Sequence, residues 1–283
     1  MANGTLKVAT CQFPVCENIE QNSKYIQEFI SNAKDIGADI VHFSECALSG
    51  YAGADFDSFE GYDWSLLIEE TKKIMSLAGK LHLWVVLGST HKLTPPNKPH
   101  NCIYLINPQG QIENRYDKRF GTESDLMHYT PGNRFVTFTI NGVKCALLIC
   151  FDLRFPEIYR ELNKLKVQCV LQSFYNARQK EQSVHRHIII QTMQANVASN
   201  YFWASMANSC GEIAPYSSCF IQPDGEIKNE LKSHQPDIMV NTVDTSISFY
   251  DPSAKFRAIA MNGILTNGPD DINDPRSKDI KSL

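Results

Sequence analysis

Hydrophobic and polar positions along the chain alternate between two periods. Leu6-Lys-Val-Ala-Thr-Cys-Gln-Phe13 switches sides residue by residue and predicts a strand. Ile19, Ile26, Phe29, Ile30 and Ala33 fall at helical spacing and predict a helix that Gly37 ends. A short apolar strand, Ile40-Val-His-Phe43, runs at once into the polar turn Ser44-Glu45-Cys46. Trp64 to Gly79 returns to helical spacing, and Leu83 to Ser89 is a buried strand. Asn101 to Ile106 and Gln111 to Tyr116 pair across the turn Asn107-Pro-Gln-Gly110, and Asp117-Lys118-Arg119 follows. Gly121 to Gly132 reads as loop. Phe135 to Ile140 alternates, and Asn141-Gly142 turns it into an apolar strand that stops at Cys150. Pro156 then opens a helix to Lys166, with Ile158, Leu162 and Leu165 on its inner face. Val167 to Leu171 is a strand ending in Gln172-Ser-Phe-Tyr-Asn176. A helix over Ser183 to Ala198 turns Val184, Ile188, Met193 and Val197 inward. Phe202 to Met206, a hairpin around Asp224-Gly225 and Ile238 to Val243 complete the strands, and from Leu265 the chain is polar.

Strands that alternate with helices indicate an α/β fold, and the hairpins make some pairs antiparallel. Strand, helix, then strand ending in a polar turn occurs at 6–45 and again at 143–176. That echo suggests two similar halves, stacked as a sandwich of two sheets with helices outside. No linker divides the chain, so we expect a single domain over 1–265 with a polar tail at 266–283.

Composition narrows the function. The 283 residues carry a net charge of −4 and no basic stripe, which argues against a nucleic-acid partner. No apolar run is long enough for a membrane span, and the first residues lack the apolar core of a secretion signal, so a cytoplasmic protein is expected. Nine cysteines, scattered and odd in number, argue for free thiols in a reducing compartment. There is no Cys-x-x-Cys, and His185 and His187 lack the spacing of a metal pair, so no metal or cofactor is called for.

Three residues suggest one chemistry. Glu45, Lys118 and Cys150 each follow a strand, so their side chains can converge if the strand tips do. A thiol is a modest nucleophile until it loses its proton. A carboxylate in a dry pocket can take that proton. A nearby ammonium keeps the two anions from repelling and can stabilise an oxyanion, with the N–H of Phe151 as a second donor. Taken singly, each has a plainer explanation: Glu45 at a solvated strand tip, Lys118 as an exposed edge charge, Cys150 as a buried structural thiol. A thiol–histidine pair drawn from His128, His185 or His187 is the competing arrangement.

The chain resembles the nitrilase superfamily, the carbon–nitrogen hydrolases. The matching pieces are Phe43-Ser-Glu45 with Leu48-Ser-Gly-Tyr51, then Tyr116-Asp-Lys118-Arg, then Cys150-Phe-Asp-Leu-Arg-Phe-Pro-Glu157, in the family's order and over residues 6 to 245. The resemblance implies a four-layer α-β-β-α sandwich, often doubled by dimerisation, so a homodimer or higher homo-oligomer is expected. It makes Glu45 the general base, Lys118 the oxyanion stabiliser and Cys150 the nucleophile. Two positions depart from the family's pattern. Phe151 stands where Tyr is common. The family's second glutamate, counted back from Gly132, falls on Asp125, with Glu123 as the alternative. The resemblance also points to Phe174, Tyr175 and Asn176 as pocket residues, whereas Tyr51 and Trp203 read as core or interface. The implied activity is hydrolysis of a small amide or carbamoyl compound through a cysteine thioester, without cofactor and with release of ammonia. The alternatives are a nitrilase acting on a small nitrile and a non-catalytic relative that binds a small amide.

Overall fold

In the first strand, β1 (Thr5–Gln12), Ala9 and Cys11 face one way and Val8 and Thr10 the other, and every one of them is buried. A strand with two buried faces needs a layer on each side. On one side lie α1 (Ile19–Asp35) and α2 (Trp64–Leu81). Ile26, Phe29 and Ile30 of α1 and Leu67, Ile74 and Ala78 of α2 join one apolar cluster with Ala9, Cys11, Val41 and Val85. Asn18 caps α1 and Asp63 caps α2, each accepting a backbone N–H of the first turn. Truncating Ile26 to alanine in such a cluster costs about 2–5 kcal/mol.

The computed structural model describes residues 4–176, 184–211, 214–268 and 272–282. Residues 249–283 form a separate compact unit that holds two short helices, α6 (Ala254–Met261) and α7 (Pro275–Lys278). Neither helix buries a residue.

The larger unit holds two six-stranded mixed sheets. The first contains β1, β2 (Ile40–His42), β3 (Trp84–His91), β4 (His100–Ile106), β5 (Ile112–Asp117) and β12 (Asp237–Asp244), in the order β12-β1-β2-β3-β4-β5. The second contains β6 (Thr137–Ile140), β7 (Val143–Ile149), β8 (Cys169–Ser173), β9 (Trp203–Ala207), β10 (Cys219–Ile221) and β11 (Ile227–Glu230), in the order β11-β10-β9-β8-β7-β6. Each sheet is parallel at its centre, β1-β2-β3 in one and β7-β8-β9 in the other, and antiparallel outside. The echo between the two halves of the sequence is therefore a repeated sheet. α4 (Pro156–Lys164) and α5 (Val184–Asn200) accompany the second sheet, and the whole is an α-β-β-α sandwich.

A polar seam joins the two inner faces. Thr10 and Ser205 share a hydrogen bond of 2.7 Å, Ser205 meets His42 Nδ1 at 2.8 Å, and His42 Nε2 meets Ser173 at 3.0 Å. Ser173 donates its only proton to the Phe43 carbonyl at 2.8 Å, so it must accept from His42, whose proton sits on Nε2. Both imidazole nitrogens are thus occupied in the neutral form. Burial agrees, pushing the His42 pKa down to about 3.

Several expectations shift. Glu123–His128 is a short helix, α3, inside the stretch read as loop, capped by a reciprocal pair between Thr122 and Asp125. Leu165 and Ile188, expected to face inward, are 40% and 39% exposed, while Met193 and Val197 are buried. Residues 177–183, which include most of the lead-in to α5, lie outside the described residues.

Candidate active site

Strand β2 delivers Glu45. Beyond His42 the chain stays close to β3: the Phe43 N–H bonds the Val86 carbonyl and the Leu48 N–H the Gly88 carbonyl. Gly88 permits the approach, since a Cβ there would stand 2.0 Å from the Ser44 carbonyl oxygen. The Glu45 N–H crosses to the other sheet and bonds the Phe174 carbonyl at 3.1 Å. Cys46 then takes a left-handed φ of 51°. A non-glycine residue held there costs of order 1–3 kcal/mol and turns the chain sharply. Glu45 ends fully buried.

Lys118 follows β5 and is also buried, at 4% exposure. Its N–H bonds the Asn101 carbonyl, and its carbonyl accepts the Gly132 N–H at 2.8 Å. Gly132 too is a close approach, where a Cβ would lie 2.4 Å from the Asp117 carbonyl oxygen. The ammonium donates to Glu45 Oε1 at 2.7 Å, to Asp125 Oδ2 at 2.8 Å and to the Tyr51 hydroxyl at 3.2 Å. Tyr51 in turn donates to Asp125 Oδ1, and the Thr122 N–H donates to Oδ2. Asn101 Nδ2 adds a second hydrogen bond to Glu45 Oε1, at 2.7 Å. Glu45 Oε2, in contrast, is buried and has no hydrogen-bond partner among the described residues.

Cys150 stands where β7 passes into a single 3-10 turn, Cys150–Arg154, and has a φ of 37°. Asp152 holds that turn. Its Oδ2 accepts the Ile149 N–H and the Tyr116 hydroxyl, and its Oδ1 accepts the Phe120 N–H. Gln172 on β8 donates to the Cys150 carbonyl at 3.3 Å. Asn176 Nδ2 approaches the Cys150 sulfur at 3.7 Å and also donates to the Tyr216 hydroxyl. The thiol thus lies half-buried between the tips of β7 and β8, with a backbone N–H of Tyr175 also directed at it.

The charges interact strongly. Burial raises the Glu45 pKa; Lys118 opposes that and Asp125 reinforces it. Burial also lifts Cys150 well above the usual thiol range, and the Glu45 charge lifts it further, while Lys118 pulls it down. Lys118 is destabilised as a cation by burial, yet Glu45, Cys150 and Asp125 together outweigh this and hold it protonated. Burial alone would raise Asp125, but Lys118, with hydrogen bonds from Lys118, Tyr51 and the Thr122 backbone, brings it below the normal carboxylate range.

Two carboxylates and one ammonium therefore share a buried site, whose formal net charge is −1 with both acids ionised. Three further polar side chains complete it, and two of them, Asn101 and Tyr216, the sequence did not single out. Asn101 follows no motif. Tyr216 lies far along the chain. Tyr51, read as core or interface, has its ring 4.8 Å from that of Tyr175 and its hydroxyl on Lys118 and Asp125. Of the two acidic candidates, Asp125 touches Lys118, whereas Glu123 is exposed in the first turn of α3. Phe174 and Tyr175 are buried, their rings packed on Tyr216 and Tyr51; Phe151 is half-buried with its ring on Phe155. His187 is exposed on α5, and the His185 side chain lies outside the described part. Trp203 is buried in β9 beside Phe220.

Comparison with known proteins bears on fold and family. The chain is 26% identical over 247 residues to an (R)-stereoselective amidase of a Pseudomonas species, covering 82% of this chain and 84% of that one. It is 25% identical over 169 residues to nitrilase homolog 2 of Dictyostelium discoideum, a match that spans about half, 51%, of that relative's length. A solved mutant of a Nesterenkonia AN1 amidase from the nitrilase superfamily superposes with a TM-score of 0.75 at 18% identity, covering 92% of this chain and 95% of that one. The family model described as carbon–nitrogen hydrolase matches residues 7–249, from the first strand to just past the last, and the chain belongs to that family.

Proposed function

We propose that this chain hydrolyses a small amide or carbamoyl compound through a thioester on Cys150, releasing ammonia. The observation that carries the reading is the state of Glu45: buried, bonded among the described residues through one oxygen only, raised in pKa, and close enough to Cys150 for its charge to raise the thiol as well. A bare thiolate there would bring the cluster from −1 to −2. Moving the thiol proton to Glu45 keeps it at −1, so attack and proton transfer belong together.

The Cys150 sulfur bonds the amide carbon as Glu45 takes its proton, and the carbonyl electron pair moves onto oxygen. The Lys118 ammonium and the Phe151 N–H stabilise that oxyanion. Glu45 returns the proton to the nitrogen, the carbon–nitrogen bond breaks, and ammonia departs. Glu45 then deprotonates a water that attacks the thioester; the sulfur leaves and regains its proton, and the acid is released. The Asn176 side chain and the Tyr175 N–H favour the leaving sulfur as an anion. The Pseudomonas relative, named as an amidase, supports the same reaction class.

The test is ammonia release across small amides, carbamoyl compounds and nitriles. Wild-type protein is expected to turn over at least one amide or carbamoyl compound, and Cys150→Ala to lose at least roughly 10³-fold of that rate. Turnover confined to nitriles would replace amidase by nitrilase; turnover surviving in Cys150→Ala would end the thioester reading.

A further inference from the structure

The ammonium of Lys118 has three protons, and each already has an acceptor: Glu45 Oε1, Asp125 Oδ2 and the Tyr51 oxygen. An oxyanion can receive a Lys118 proton only if one of these lets go. Glu45 and Asp125 are anions at 2.7 and 2.8 Å; Tyr51 is uncharged and lies at 3.2 Å. All three bonds have a cationic donor, but those to Glu45 and Asp125 are short ion pairs and that to Tyr51 is a longer contact with an uncharged oxygen, so the Tyr51 contact yields first. Tyr51 also donates to Asp125 Oδ1 and so fixes the carboxylate that anchors Lys118 from the other side. Its ring is wedged between Tyr175, at 4.8 Å, and Tyr129, at 5.8 Å. The Tyr51 N–H is tied to Asp55 Oδ2, and Asp55 Oδ1 receives the Tyr175 hydroxyl. The phenol is therefore braced at its backbone, its ring and its hydroxyl.

We propose that Tyr51 is a positioning residue of this site: it locks Asp125 by donation and holds the third Lys118 proton until the developing oxyanion takes it. The inference rests on the amidase reading above. It deepens that reading by dividing the lysine's work into two fixed contacts and one exchangeable contact.

Loss of the phenol has a specific signature. In Tyr51→Phe the third Lys118 proton has no acceptor in the free enzyme, so a ground-state carbonyl oxygen fills the place and KM falls. Asp125 loses its fixing bond, Lys118 is less well aimed, and kcat falls by roughly 10- to 100-fold. A variant that merely loosened packing would leave KM unchanged or raise it. A pH readout follows from the same contacts. The groups facing the phenol are Asp125, Lys118, Glu45, Cys46, Cys150, Tyr129 and Tyr175. Removing a neutral donor from a cluster of net charge −1 raises its proton affinity, so the acid limb moves to higher pH.

Two measurements test this. Iodoacetamide capture of Cys150, located by mass spectrometry and followed against pH, reads the thiol's surroundings whether or not the chain turns over an amide. Steady-state kinetics use the amide that wild-type protein hydrolyses fastest. Tyr51→Phe is expected to shift the onset of capture to higher pH and to lower kcat and KM together. In an Asp125→Asn background the same substitution is expected to change kcat by less than about threefold, because the two act as one unit. Unchanged capture, a raised KM, or fully additive effects would overturn the proposal. Should Tyr51→Phe fold poorly, 3-fluorotyrosine placed at 51 keeps the ring and strengthens donation to Asp125. The onset must then move to lower pH, and an unmoved onset also overturns the proposal. Absence of amide turnover in wild-type protein, with the capture shift present, would instead count against the amidase reading alone.

Discussion

The tips of β2 and β7 solve the same local problem and use a buried acid in opposite ways. Each is an apolar strand that ends beside a residue of left-handed φ, Cys46 at 51° and Cys150 at 37°. Each carries a fully buried carboxylate, Glu45 in one and Asp152 in the other, and burial raises both pKa values. Asp152 is saturated: two backbone N–H groups and the Tyr116 hydroxyl occupy both its oxygens. Glu45 receives Lys118 and Asn101 on Oε1 and, among the described residues, nothing on Oε2. A buried acid whose oxygens are all spoken for is a brace. One that keeps a dry oxygen open bears a cost that folding alone does not explain, which fits a group reserved for a proton.

The comparison can be broken most directly at Glu45. Glu45→Gln keeps the shape and removes the proposed base, and kcat/KM is expected to fall by roughly 10³-fold. The same change takes the cluster from −1 to 0. Because burial raises the Glu45 pKa, the folded chain binds a proton more tightly there than the unfolded chain does. Keeping Glu45 charged thus lowers stability as pH rises above its ordinary value of 4.5. Glu45→Gln is therefore expected to unfold at higher denaturant than wild type at pH 7, with the gain shrinking toward pH 4. A less stable variant at pH 7 would contradict the reserved-acid view.

Asp152→Ala is expected to do the reverse, lowering stability by about 3 kcal/mol because three donors lose their acceptor in the interior. Denaturant unfolding measures it; a loss under about 1 kcal/mol would mean the brace is dispensable. His42 beneath the β2 tip is a third buried titratable group, saturated like Asp152. Its folded pKa of about 3 lies below its unfolded value, so stability is intact above pH 6.5 and is lost as pH falls toward 3. Roughly 2 kcal/mol should be missing at pH 5, and His42→Gln should flatten the stability profile between pH 6.5 and 4. An equal slope in both proteins would assign the acid loss elsewhere. The smallest expected effect is at Asn101. Asn101→Ala leaves Glu45 with one donor and should lower kcat roughly tenfold, with the acid limb moved to higher pH.

Sequence alone determined the period of nearly every strand and helix, the doubled sheet, and the positions of Glu45, Lys118 and Cys150 after strands. These are local properties: alternation follows the pleat, helical spacing follows the turn, and Gly37, Pro156 and Asn141-Gly142 interrupt both for backbone reasons. The short helix α3 inside a loop was not legible from apolar spacing: its cap is the local pair Thr122 and Asp125, and Asp125 is held further by Lys118 and by the distant Tyr51. Nor could local pattern choose between Asp125 and Glu123, two residues apart with the same chemistry. Which of them reaches Lys118 depends on which face of α3 looks inward, and only the packed chain sets that. Tyr51, Asn101 and Tyr216 were illegible for the same reason. Their roles are hydrogen bonds to residues 40 to 74 positions away, and which donor reaches which acceptor is decided when two sheets close on one another.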